Sequence, residues 1–161
     1  MESDYLRVLG YLAFSTRLKR ISDAMMHGGR RMYSELDVDI EPNWYVLFKL
    51  LKDRGPMCVT DIAECLRMAH PSVIAIINKM LNAGYLLSEK DPSDSRKRVL
   101  DLSDRAVKML PRYEAIWQAG EDGMAEALQG MNALEFIDLL EDRFNARGFK
   151  ERTMNQLHKN V

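Results

Sequence analysis

Val59-Thr-Asp-Ile-Ala-Glu-Cys-Leu-Arg-Met-Ala-His70-Pro-Ser-Val-Ile-Ala-Ile-Ile-Asn-Lys-Met80-Leu-Asn-Ala-Gly84-Tyr-Leu-Leu87 is the stretch whose reading decides the fold. Ser88-Glu-Lys-Asp-Pro-Ser-Asp-Ser-Arg-Lys-Arg-Val-Leu-Asp-Leu-Ser-Asp-Arg105 continues it. Ile62, Ala63 and Leu66 fall at helical spacing, and so do Val73, Ile76, Ile77, Met80 and Leu81. His70-Pro71 between the two sets is a helix start, because proline fits the first turn without losing a bond. Gly84 supplies the positive φ that closes the second helix. Tyr85-Leu86-Leu87 and Arg98-Val99-Leu100-Asp101-Leu102 then read as strands on either side of a polar hairpin tip, Lys90 to Lys97. The pattern predicts a winged helix-turn-helix, an architecture suited to duplex DNA.

Outside this stretch the chain is mostly helical. Residues 4–27 predict one long helix with Leu6, Leu9, Ala13, Phe14, Leu18, Ile21 and Met25 on an apolar stripe. Ser3 or Asp4 caps its start and Gly28-Gly29 stops it. Residues 30–40 read as a connector, with an extra helical turn as the alternative. Glu41-Pro42 opens a helix through Arg54 that Gly55-Pro56 ends. Met57-Cys58-Val59 is the third strand of the small sheet. From Ser103-Asp104 a helix runs to about Leu128, kinked at Pro111. Asn132-Ala133-Leu134-Glu135 has capping-box spacing and starts a last helix that Gly148 ends. Residues 149–161 read as a weakly patterned, basic-leaning tail. The fold class is therefore mainly α with a small β wing, a single domain over 1–161. Its core spans about 42–105, flanked by helices about 4–27 and 104–147. Those flanking helices carry more apolar surface than a small monomer hides, which predicts a homodimer.

The residues also carry a family resemblance. Ile62-Ala63-Glu64, Val73, Met80, Gly84-Tyr85-Leu86, Asp91-Pro92-Ser93-Asp94-Ser95-Arg96 and Leu102-Ser103 together resemble the MarR family of bacterial transcription regulators. They follow that family's Leu-Ala-Glu, Gly-Leu-Val, Asp-Pro-x-Asp-x-Arg and Leu-Thr landmarks. The resemblance implies a ligand-responsive repressor whose terminal helices interdigitate between two subunits and set two winged modules on an inverted repeat. It assigns Arg96 to the minor groove, with Asp94 holding its guanidinium. It places an effector cleft near Tyr11, Phe14, Trp44, Phe48 and Tyr113, where plain core packing is the competing account.

The chemistry of the motif points the same way. The second helix of such a module turns its N-terminal residues toward the bases. That makes His70, Pro71, Ser72, Ala75, Asn78 and Lys79 the candidate DNA-facing positions. Arg96, Lys97 and Arg98 ring the hairpin tip beside Lys90, and a narrow minor groove attracts such cations. Ile74 and Ala75 depart from the polar residues usual in the family and leave few side chains for bidentate base contacts. That step, with a net charge of -1, keeps open a second reading: a winged protein–protein adaptor that has lost DNA binding.

Composition limits the remaining classes. At 161 residues and 47% hydrophobic content the chain can build one ordinary core. With near-neutral charge, any DNA contact must come from a local patch. No apolar run is long enough to span a membrane, and the charged N-terminus does not suit a signal peptide, so a cytoplasmic protein is expected. Cys58 and Cys65 form no disulfide framework and, with His70, match no common zinc spacing. Cys65 reads as a core or boundary residue, while Cys58, near a helix start, is the better candidate for an oxidation-sensitive thiol. His27-Gly28-Gly29 lacks a Gly-x-Ser-x-Gly partner, and no phosphate loop is present. No cofactor, metal or enzymatic activity is expected.

Overall fold

The computed structural model describes residues 4–91, 94 and 97–159. The chain divides into two compact units, Met1–Arg112 and Tyr113–Val161. The first opens with α1 (Tyr5–Val8), a 3-10 turn (Gly10–Ala13) and α2 (Phe14–Glu35). A second 3-10 turn at Pro42–Trp44 leads into α3 (Tyr45–Arg54). Then come β1 (Met57–Cys58), α4 (Val59–Leu66), α5 (His70–Asn82), β2 (Leu86–Lys90) and β3 (Arg98–Leu102). Helix α6 (Asp104–Ala127) runs across the division, and α7 (Ala133–Ala146) and α8 (Phe149–Lys159) belong to the second unit.

The winged module lies wholly in the first unit. Its core collects Leu47, Phe48 and Leu51 of α3, Ile62 of α4, Val73 and Met80 of α5, and Leu100 of β3, all at most 2% exposed. These are the positions that the 3.6-residue period selects. The sheet has the order β1-β3-β2 and is antiparallel throughout, with Met57 opposite Leu100 and Leu86 opposite Leu102. Along β3, exposed Arg98 is followed by buried Leu100 and Leu102, the two-residue alternation of a strand with one covered face. Gly84, at φ 74°, closes α5 as the sequence predicts.

Four expectations about the flanks change. The N-terminal helix is broken at Gly10, whose φ of 55° does not belong to a right-handed helix. Asp4 caps its first piece by accepting the Leu6 N–H. Gly28 and Gly29 do not stop α2, which continues to Glu35. A Cβ on Gly29 would lie 2.9 Å from Pro42 Cγ, whereas one on Gly28 meets nothing within 4 Å. Gly29 is therefore a close-approach residue that lets Pro42 rest on the helix, and the Arg30–Glu41 ion pair at 2.9 Å fastens the same crossing.

In the second unit, Asn132 adopts a left-handed conformation (φ 45°) and makes no side-chain cap, so the capping-box spacing is not used. The expected tail is largely helical. Arg152 donates to the carbonyls of Arg147 (2.8 Å) and Arg143 (2.6 Å) at the end of α7, and Arg147 pairs with Glu151 at 3.0 Å. One arginine thus satisfies carbonyls that the end of α7 leaves open and holds α8 against it. Pro111 lies inside α6 without ending it. Among the described residues, no helix is long and apolar enough to cross a membrane.

The two adjacent glycines respond differently to a methyl group. Gly28→Ala should raise the urea midpoint, by about 0.5–1 kcal/mol of stability, because it removes the entropic cost of a helical glycine. Gly29→Ala should lower it, since the proline ring has to move.

Candidate nucleic-acid interface

Helix α4 ends where Arg67 turns left-handed (φ 49°), and the Met68 N–H returns to Ala63 O at 3.1 Å. That reversal sets the angle at which α5 departs. Ala69, in extended backbone, precedes α5 and makes no side-chain cap, so His70 does not cap the helix but begins it. Pro71 lacks an N–H, and those of Ser72 and Val73 both reach Ala69 O, at 2.9 and 3.2 Å. Val73, Ile76, Ile77 and Met80 face the core. His70, Pro71, Ser72, Ala75, Asn78 and Lys79 are all exposed, together with Ile74 and Asn82. At about 100° per residue, Pro71, Ala75 and Asn82 run down the middle of the outer face. Ile74 and Asn78 flank that line on one side, Ser72 and Lys79 on the other. In the sequence Ile74 stands out only by its apolar character. Its exposure was readable from the same period, since it falls outside the buried arc.

The wing extends from β2 and β3. Lys90 lies directly opposite Arg98 in the ladder, and both are exposed. Two like charges at such a position repel each other, and an anion between them relieves this. Asp91 closes the loop: its N–H donates to Lys97 O at 3.1 Å, and its carboxylate accepts the Asp94 N–H at 3.2 Å. Arg96, the residue assigned to the minor groove, lies outside the described residues, and with it the expected Asp94–Arg96 contact. Lys97 is exposed beside them.

A polar knot at its C-terminal end also ties α5 to the rest of the unit. Tyr85 is fully buried, with Trp44 and Phe48 meeting its ring edge-on at centroid separations of 5.9 and 5.4 Å. Its hydroxyl donates to Asp39, which also receives Arg105. The same guanidinium lies 4.4 Å over the Tyr85 ring and donates to Ala83 O at 2.7 Å. Ser103 completes the knot by donating to Gly84 O at 2.7 Å and accepting the Ala106 N–H at the start of α6. The Tyr85 hydroxyl and then the Arg105 charge hold the Asp39 carboxyl below the ordinary carboxylate range. None of this was predicted from sequence. The participants are far apart in the chain, and only the position of Gly84-Tyr85 hinted at them.

The residues that the resemblance places at an effector cleft fall in both units. Tyr11 is almost fully exposed and Phe14 half-buried, while Trp44 and Phe48 belong to the aromatic core around Tyr85. Tyr113, in the second unit, is buried and stacks obliquely on Trp117. Trp44 also borders an open cleft of about 790 Å³, whose walls include Tyr33, Asp39, Glu41 and Lys79. Cys65 is exposed, not a core residue, with Arg54 Nη1 3.8 Å from its sulfur. Cys58 is half-buried, and burial together with nearby Asp61 pushes its thiol up, which disfavours the thiolate that oxidation needs. Among the described residues, no group of three or more His, Cys, Asp or Glu could hold a metal.

Comparison with known proteins bears on this module directly. Residues 40–97 match the model of the MarR family. Over that stretch the chain carries a MarR-family domain. The chain is also similar to YkoM, an uncharacterized HTH-type transcriptional regulator of Bacillus subtilis, 24% identical over 106 residues. That match spans 66% of this chain and 65% of the relative. Among solved structures, the S. aureus MepR–DNA complex superposes with a TM-score of 0.65 at 18% identity, covering 83% of this chain and 96% of that one. PcaV of Streptomyces coelicolor, in complex with its natural ligand, gives 0.65 at 16% identity, covering 91% and 99%. These likenesses establish the fold. The family matched is one of transcription regulators, not of enzymes.

The knot has a pH signature. A carboxyl depressed in the folded state stabilises fully above the unfolded Asp range, and the contribution is lost as pH falls through the folded value. Below about pH 4 the urea midpoint of the native protein should therefore fall more steeply than that of Asp39→Asn. Tyr85→Phe should cost about 1 kcal/mol at neutral pH, the size of one buried hydrogen bond.

Proposed function

We propose that this protein is a sequence-specific DNA-binding transcription regulator that works as a homodimer in the cytoplasm. The observation that carries the reading is the outer face of α5, exposed from His70 to Asn82 next to the cationic strand ends of the wing. A helix presented in this way fits the major groove with its N-terminal residues toward the bases. His70, Ser72 and Asn78 offer hydrogen bonds to bases or phosphates, and Lys79, Lys90 and Arg98 offer charge to phosphates. Arg96, held by Asp94, is the minor-groove residue of this proposal.

Dimerisation is supported by apolar side chains exposed on both terminal segments. They include Tyr5, Tyr11, Leu12 and Ile21 in the first unit, and Leu134 and Phe149 in the second. Two modules about a two-fold axis call for an inverted repeat with half-sites about one helical turn apart, roughly 10 bp. Repression released by a small molecule belongs to the same proposal. It is supported by the likeness in fold to a regulator solved with its natural ligand and by the cleft bordered by Trp44. The adaptor reading retains two observations in its favour, the near-neutral charge and the apolar Pro71, Ile74 and Ala75 on the outward face.

Selection of bound duplexes from a random pool tests the whole reading. Dyad-symmetric sites and a light-scattering mass of twice the 18.6 kDa chain are expected. A monomer that enriches no sequence leaves the adaptor. On a selected site, Arg96→Ala should weaken all sequences alike and flatten the salt dependence by about one unit per subunit. Ser72→Ala should cost about 1–3 kcal/mol at the preferred site and relax selectivity at one base pair per half-site.

A further inference from the structure

We infer that Ile74 and Ala75 read thymine by its 5-methyl group, an inference that rests on the DNA-binding reading and names the base it selects. The two residues are adjacent and exposed, Ile74 at 37%, in the second turn of α5. Pro71 precedes them on the same face, and Ser72, Asn78 and Lys79 border them. The polar neighbours can anchor the helix on phosphates and flanking base edges. The apolar step cannot hydrogen-bond at all.

Chemistry then restricts what this step can recognise. Every base edge in the major groove presents donors or acceptors, and the one apolar group among them is the thymine methyl. Against cytosine, the Ile74 side chain would cover the N4 amino group and leave a buried donor without a partner. Against guanine it would do the same to O6, an acceptor. Either loss is larger than the gain from one apolar contact, so the position selects by repulsion as well as by attraction. Local structure supports the assignment. A β-branched residue in mid-helix has poor helix propensity, and Ile74 stays 37% exposed, outside the buried set Val73, Ile76, Ile77 and Met80. A single exposed isoleucine is ordinary on a protein surface. One on the outward face of the second helix of a helix-turn-helix, beside Ala75 and Asn78, is placed where the bases pass.

The test uses the full chain and a duplex selected as above. Thymines in each half-site are replaced singly by deoxyuridine, which removes the methyl and keeps the pairing and the O4 acceptor. At one thymine per half-site, the unaltered protein should bind roughly four-fold more weakly for one lost methyl, and ten- to twenty-fold when both half-sites lose it. Ile74→Ala, a change at an exposed position, should bind the two duplexes nearly alike, at the level of the unaltered protein on deoxyuridine. Ala75→Ser checks the smaller partner in the same way. Equal binding of thymine and deoxyuridine duplexes by the unaltered protein overturns the inference, as does a penalty that persists undiminished in both variants. In either case the DNA-binding reading stands. A protein that binds none of the duplexes removes that reading, and the inference with it.

Discussion

A buried tyrosine hydroxyl needs a partner, and the partner Tyr85 finds organises the unit. Asp39 comes from the connector after α2, Arg105 from the first turn of α6, and Tyr85 from the residue after the glycine that ends α5. One carboxylate thus ties three separate parts of the chain at the C-terminal end of the recognition helix. The aromatic edges of Trp44 and Phe48 exclude water from the ring, and the guanidinium covers its face while also satisfying Ala83 O. Core packing of Val73, Ile76, Ile77 and Met80 decides which face of α5 turns outward, and the knot adds a polar anchor at its C-terminal end.

Direction matters because that face carries little charge of its own. The chain is nearly neutral, and α5 contributes Lys79 as its cation. Further positive charge sits at the wing, where Lys90 and Arg98 face each other across the ladder. Such an arrangement separates two tasks. The wing strands draw in phosphate, and the helix face selects what lies in the groove by shape, a few hydrogen bonds and apolar contact. Both depend on the sheet order β1-β3-β2, which joins the wing through β3 to the strand that leads directly into α4.

Much of this was legible in the residues. The helical period of Val73, Ile76, Ile77 and Met80 determined which face of α5 is buried and, by exclusion, which is presented. The alternation of β3, the positive φ of Gly84 and the turn chemistry around Asp91 determined the hairpin. The landmarks of the MarR resemblance fall on these same positions, because they mark the turns and core sites that such a module needs. Each of these signals is local: it links residues a few positions apart, whose geometry follows from backbone sterics and from burying one side.

The tertiary structure decided what local signals cannot express. Gly28-Gly29 looks like a helix stop, yet α2 runs through it and Pro42 rests on Gly29, because a glycine in a helix and a glycine ending one have the same composition. Cys65 falls beside buried positions yet is exposed. Residues 149–159 show a weak pattern alone, and they form a helix that Arg152 secures to the open carbonyls of α7. Asp39, Tyr85 and Arg105 give no joint signal, because Asp39 and Arg105 stand 66 positions apart. Close approach and long-range pairing are properties of where chain segments meet. The sequence by itself determined the parts and their buried faces, while the folded chain alone decided which parts meet and therefore which way α5 points.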